Sequence, residues 1–100
     1  MDVKVTEKDN KEYLVAISGR FNTDNAYLVD SELSKIIAKA DNIIIDFDKL
    51  EYISSAGLRV ILTNQKRMKN PISIVNASDD VYEIFEITGF SDIVNISRKE

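Results

Sequence analysis

The run Ile43-Ile44-Ile45-Asp46-Phe47 constrains the fold of this chain more than any other segment. It shows almost no apolar–polar alternation. A strand of that kind asks for cover on both faces, as in a parallel or mixed sheet dressed with helices. Helical stripes flank it. Ahead of it, Ala26, Val29, Leu33, Ile36, Ile37 and Ala40 fall on one face at the 3.6-residue period, with Tyr27 and Leu28 off the stripe. Behind it, from about Ala56 to Met68, Leu58, Ile61, Leu62 and Gln65 share one face. Arg59, Thr63, Lys66 and Arg67 share the other, and Val60 lies on the outward side beside this basic stripe.

The remaining segments follow from local chemistry. Val3 to Thr6 and Tyr13 to Ile17 read as two strands joined by a polar turn, an antiparallel hairpin. Asn22 or Thr23 is the expected N-cap of the first helix. Asp48-Lys49 is a short polar break, and Leu50 to Ile53 leads into Ser54-Ser55-Ala56-Gly57. Asn70-Pro71 stops the second helix, because proline disfavours helical geometry in the residue before it. Ile72 to Val75 is a further strand. Ser78 is placed to cap a third helix with Asp79 and Asp80 in its first turn, where the helix dipole favours negative charge. Val81, Ile84 and Phe85 form its inner face, Gly89 ends it, and Phe90 is set to fold back on Phe85. Ile93 to Ile96 is a last short strand or extended tail. The order β-β-α-β-α-β-α-β implies one α/β domain over residues 1–100: a mixed, mostly parallel sheet with helices and right-handed crossovers.

Composition removes several function classes. With no Cys and no His there can be no disulfide, no thiol catalysis, no Ser-His-Asp triad and no zinc site of the usual ligands. Nothing points to a metal or any other cofactor. A net charge of −4 gives no support to nucleic-acid binding and suits a protein partner. The amino terminus does not read as a signal peptide and no apolar run reaches membrane-spanning length, so the expectation is a cytoplasmic protein without membrane insertion.

The Ser54-Ser55-Ala56-Gly57 turn then carries the chemistry. It places two hydroxyls between a strand-like run and a helix. Capping is the ordinary role of serine there, but a helix has one N-cap, so one of Ser54 and Ser55 is left over. Gly57 in the first helical turn costs about 0.5–1 kcal/mol relative to Ala, which calls for close approach by another group or tight local packing. A nucleophilic serine would need a base. Only Lys49 or Lys66 could supply one, with no companion motif and no Gly-rich oxyanion loop. A phosphoacceptor serine makes physical sense, since a helix amino end offers unpaired N–H groups and a favourable dipole. The phosphate would place roughly −1.5 to −2 charges at one point on a docking face. Asp46 and Asp48, if close, would oppose it, and Arg59 could offset it.

The segment from Asp46 to Leu62 resembles the signature of the STAS domain, and more narrowly that of the bacterial anti-sigma factor antagonists. Gly19-Arg20-Phe21-Asn22 with Ala26 resembles that family's segment before the first helix, and Val81 to Phe90 its final helix and terminating glycine. The likeness spans nearly the whole chain in the right order. Carried over by position, the family's phosphorylated hydroxyl falls on Ser55. This chain has Ser54 where the family commonly has Asp, Ala56 where it has Ser or Thr, and Asn22 where it often has Asp. The resemblance implies a kinase substrate and binding module, not an enzyme. The unphosphorylated form would bind an anti-sigma factor that is also a serine kinase of the histidine-kinase ATPase fold, freeing a sigma factor. Phosphorylation would end the complex and a phosphatase would reset it. The expected partner-binding face is Asn22, Thr23 and Asp24 together with Ser54, Ala56, Gly57, Arg59 and Val60. Two other STAS roles compete: a subunit docking on the ATPase of a lipid-transporting ABC system, and a stressosome-like scaffold, for which the chain is short of a sensory domain.

Overall fold

Strand β2 (Glu12–Phe21) organises the molecule because it is long enough to serve two neighbours in succession. In the computed structural model, which describes residues 1–100, β2 pairs antiparallel with β1 (Asp2–Glu7) along one edge. Along the other edge its first half pairs parallel with β3 (Asn42–Asp46), and its last residues, Gly19 to Phe21, pair parallel with β4 (Leu50–Ile53). The switch occurs at a register shift between Gly19 and Arg20. Gly19 has φ +88°, a left-handed conformation that side chains resist, and its N–H donates to the Lys49 carbonyl at 3.0 Å.

The sheet continues through β5 (Ser73–Ala77) to β6 (Asn95–Arg98), both parallel to their inner neighbours, in the order β1-β2-β3-β5-β6. Helices α1 (Ala26–Ile37), α2 (Ser55–Gln65) and α3 (Asp79–Ile87) connect them. This is the expected mixed, mostly parallel sheet, with one addition. Leu50–Ile53, read from sequence only as the approach to the turn, is a strand in its own right. No helix is long and apolar enough to cross a membrane.

One cluster of 22 buried residues forms the core. Six of its strand members, Tyr13, Val15, Ile17, Ile43, Ile45 and Ile74, project from one side of the sheet, and Phe21, Leu50, Ile53 and Ala77 join them from the strand ends. Ile44, expected to be covered like its neighbours, is only half-buried; in register with Leu14 and Ser73 it lies on the opposite side. The apolar run therefore reads as two-sided, yet only one face of the sheet is sealed by the core.

Element ends also moved. The first helix begins at Ala26 and not after Asn22 or Thr23, because asparagine side chains compete for the backbone there. Asn25 Oδ1 accepts from the Asn22 N–H at 2.9 Å, Asn25 Nδ2 donates to the Arg20 carbonyl at 2.6 Å, and Asn22 Oδ1 accepts from the Asp24 N–H at 3.0 Å. The second helix closes at Gln65, short of Met68. Buried Gln65 holds the following loop: its Oε1 accepts from the Ile72 N–H at 2.6 Å and its Nε2 donates to the Asn70 carbonyl at 3.1 Å. Ser78 caps α3 by accepting from the Val81 N–H at 3.3 Å. Gly89 ends it at φ +81°, and the rings of Phe85 and Phe90 meet edge-to-face at 6.3 Å, as the sequence suggests. The final strand starts at Asn95, two residues later than expected, after a 3₁₀ turn at Phe90–Asp92.

Candidate functional site

The turn between β4 and α2 is fixed by the end of β2. The Ser54 N–H donates to the Phe21 carbonyl at 2.9 Å, so the start of α2 is tied to the residue before Asn22. Gly57 faces the same place. A Cβ on it would stand 2.9 Å from Ile53 Cγ1, 3.1 Å from the Phe21 ring and 3.1 Å from the Phe21 carbonyl. Tight packing, and not approach by another molecule, thus accounts for this glycine. It is buried and holds the helix end in place without offering a surface.

The two serines divide their roles. Ser54 has extended backbone geometry and its Oγ accepts from the Gly57 N–H at 3.4 Å, which makes it the N-cap. Ser55 is the first residue of α2; it is exposed and its hydroxyl makes no hydrogen bond within the chain. It opens on a groove of about 420 Å³ lined by Ser55, Leu58, Arg59, Leu62, Thr88 and Phe90, between α2 and the end of α3. Neither Asp46 nor Asp48 lines this groove. Asp46 is engaged with the Asp48 N–H and Asn76 Nδ2, both at 2.9 Å, and Asp48 is paired with Lys99 at 3.1 Å. Lys49 and Lys66 do not line it either, so Ser55 has no base beside it.

A second groove, of about 290 Å³, lies between α1 and α2 and is lined by Ala26, Asp30, Ala56, Arg59, Val60 and Thr63. Arg59 is common to both grooves and stands one helical turn beyond Ser55, without an ion pair or a stacked aromatic ring. Val60 is half-buried, packed on the core on one side and lining the second groove on the other. Thr23 and Asp24 are exposed in the turn ahead of α1 and line neither groove; Asn22 is half-buried and ties that turn together.

Sequence reasoning missed several contributors, among them Leu58 and Leu62, read only as one face of the second helix, which line the Ser55 groove. Thr88 and Phe90 reach the Ser55 groove from the far end of α3, which only the packing of that helix reveals. Thr88 Oγ1 lies 2.8 Å from the Ile84 carbonyl and 3.2 Å from that of Phe85, so it holds the helix end that brings Phe90 back. Asn64 is fully buried between α1 and α2. Its Nδ2 donates to Asp30 Oδ1 and to the Val60 carbonyl, both at 2.9 Å, which fixes how the helices flanking the second groove meet. No cluster of three or more acidic side chains is placed to hold a metal ion.

This geometry has counterparts. The family model of the STAS domain matches residues 2–100. BtrV of Bordetella bronchiseptica, designated a candidate anti-sigma factor antagonist, is 32% identical over 89 residues, covering 85% of this chain and 77% of that protein. The anti-sigma-B factor antagonist of Bacillus subtilis is 28% identical over 102 residues, covering 99% and 91%. Among solved structures, the anti-sigma factor antagonist SpoIIAA in its unphosphorylated form superposes with a TM-score of 0.83 at 14% identity, covering 98% of this chain and 90% of that one. The Bacillus SpoIIAA in its phosphorylated form gives 0.77 at 14%, covering 98% and 93%. The single α/β domain with its hydroxyl-bearing strand-to-helix turn is therefore that of a known group: the chain belongs to the STAS domain family.

Proposed function

We propose that this protein is an anti-sigma factor antagonist that works by partner switching. In the unphosphorylated state it binds an anti-sigma factor, and so releases a sigma factor. The anti-sigma factor is itself a serine kinase that transfers the γ-phosphate of ATP to Ser55 Oγ, with loss of the hydroxyl proton and release of ADP. The phosphorylated chain lets go, and a phosphatase restores it. The chain acts as substrate and binding module rather than as an enzyme, in the cytoplasm where sigma factors act.

The observation that carries this reading is the division of labour at the turn. Ser54 does the capping, which leaves Ser55 exposed, free of hydrogen bonds and at the rim of a groove. A phosphate there would meet the amino end of α2 and the unpaired Arg59 one turn on, so the fold can hold it. It would also set a double negative charge on a face otherwise suited to docking. The relatives named as anti-sigma factor antagonists, and a SpoIIAA structure described as phosphorylated, support the same reading. The partner-binding face comprises Ser55, Ala56, Leu58, Arg59, Val60 and Leu62 of α2, the Asn22–Asp24 turn, and Thr88 and Phe90 across the groove. Ser54 and Gly57 position it.

The test is to incubate the purified chain and ATP with each serine-kinase anti-sigma factor of its own genome, then to measure intact mass and complex formation. The expected result is a complex that dissociates as one phosphate is gained, and no gain in Ser55→Ala. A phosphate on Ser55→Ala would move the site. A wild-type chain that gains none and binds none would move the protein to the transport-ATPase role.

A further inference from the structure

We propose that the outward face of α2 is a docking stripe for an acidic segment of the partner protein, with Arg59 as its anchor. The inference rests on the partner-binding reading above and specifies the chemistry of the other side.

Charge in this chain is unevenly placed. No Asp or Glu occurs between Glu51 and Asp79, although the chain holds 17 acidic residues; that interval carries Arg59, Lys66, Arg67 and Lys69. Arg59, Thr63, Lys66 and Arg67 follow one another at helical spacing, and all four are exposed, the first two on α2 and the last two in the turn that continues from its end. Arg59 to Lys66 spans about 10 Å along the axis. The chain's three ion pairs, Lys35–Glu32, Arg98–Asp79 and Lys99–Asp48, all lie elsewhere. Of the stripe, Arg67 alone makes a side-chain hydrogen bond, donating to Ser34 Oγ at 3.3 Å. Asp30, the carboxylate across the α1–α2 groove, accepts from Asn64 and forms no ion pair with Arg59.

Helix electrostatics explain only part of this. Lys66 and Arg67 follow the carboxyl end of α2, where the dipole favours cations. Arg59 is in the first half, where it does not. What distinguishes Arg59 is its setting, between the Leu58, Leu62 and Phe90 side of one groove and the Ala26, Ala56 and Val60 side of the other. Ser55, Thr88, Asp30 and Thr63 complete the two linings, and an arginine flanked by apolar groups that a partner can cover is the usual form of an interface anchor. Its complement is a carboxylate, with further carboxylates facing Lys66 and Arg67. Duplex nucleic acid fits less well, because the rest of the chain is strongly acidic and would be repelled.

The test uses the anti-sigma factor found by the mass experiment. Affinity is measured across a range of NaCl concentrations for wild type, Arg59→Gln, the pair Lys66→Gln with Arg67→Gln, and a distant control pair, Lys8→Gln with Lys11→Gln. Arg59→Gln is expected to weaken binding about tenfold or more. The Lys66/Arg67 pair should weaken it about three- to tenfold, chiefly in the association rate, and flatten the salt dependence. The control pair should stay within about twofold. Stripe variants that bind like the control overturn the inference and leave the proposed function standing. A partner-independent arm titrates a Glu-rich peptide into the isotope-labelled chain. Shifts gathered on Arg59, Thr63, Lys66 and Arg67, and lost in Arg59→Gln, support the stripe even if no anti-sigma factor binds, in which case the proposed function is what falls. Shifts elsewhere, or tighter binding of duplex DNA than of the peptide at the same salt, overturn it.

Discussion

Replacing Gly57 by alanine sets two effects of opposite sign against each other. Alanine is the better helix former, by about 0.5–1 kcal/mol. If local propensity ruled, Gly57→Ala would stabilise the protein. The structure predicts the reverse. The new methyl would lie 2.9 Å from Ile53 Cγ1 and 3.1 Å from the Phe21 carbonyl. Ile53 and Phe21 are both buried, and the Phe21 carbonyl is already committed to the Ser54 N–H. Neither can retreat without moving the strand ends that hold the turn. Forcing a methyl into a packed site costs about 1–3 kcal/mol. The net expectation is a loss of about 1 kcal/mol, and up to about 2 if the backbone resists. In a domain of this size each kcal/mol lowers the melting midpoint by about 4–8 °C. Urea titration and thermal melting both report it. Ala56→Gly, one residue earlier in the same helix, is the control for propensity and should lose about 0.5–1 kcal/mol. A Gly57→Ala protein that melts higher than wild type would refute the close-packing account of this glycine.

The other expectations concern the same helix ends. Ser54→Ala should cost about 0.5–1 kcal/mol in urea titration, at the low end for an N-cap because its bond is 3.4 Å long, while Ser55→Ala stays within about 0.5 kcal/mol. Equal losses would mean that the two serines share the cap. Ser55→Asp should leave the circular dichroism spectrum unchanged and stability level or up by about 0.3–1 kcal/mol, since a carboxylate suits a helix amino end. Binding of the anti-sigma factor should fall sharply in the same variant; a loss of helix signal instead would assign Ser55 a structural role. Gly89→Ala should cost about 1–2 kcal/mol by melting. No atom lies within 4 Å of the added Cβ, so the cost comes from φ +81° alone and Gly89→Asn should recover part of it.

Much of this protein was legible in its sequence, for a shared reason. Helical stripes, the hairpin, the Ser78 cap and the Gly89 terminus depend on residues close together in the chain, where spacing reports geometry. The same holds for the Ser54-Ser55 turn as a strand-to-helix junction. The misplaced features involve competition or distance. Asn22 and Asn25 are equally good capping types, and only their hydrogen bonds to Arg20 and to each other decide that α1 starts at Ala26. The Ile43–Phe47 run looks buried on both faces, but sequence does not say on which side of a sheet three helices pack, and Ile44 was left half-covered.

The sequence by itself determined the α/β order, the exclusion of His- and Cys-based chemistry, and the pairing of two hydroxyls with a first-turn glycine. Tertiary structure alone decided how those parts are used. The Phe21 carbonyl and the Ile53 side chain, brought from β2 and β4, dictate that residue 57 has no side chain and so hold the α2 start against the strand ends. With Ser54 engaged at that start, Ser55 is the hydroxyl that faces outward. Thr88 and Phe90, more than thirty residues away in the chain, supply the far wall of its groove because the turn that ends α3 is brought up to α2. Local periodicity encodes which face a residue lies on, while only the packing of distant segments sets which faces meet.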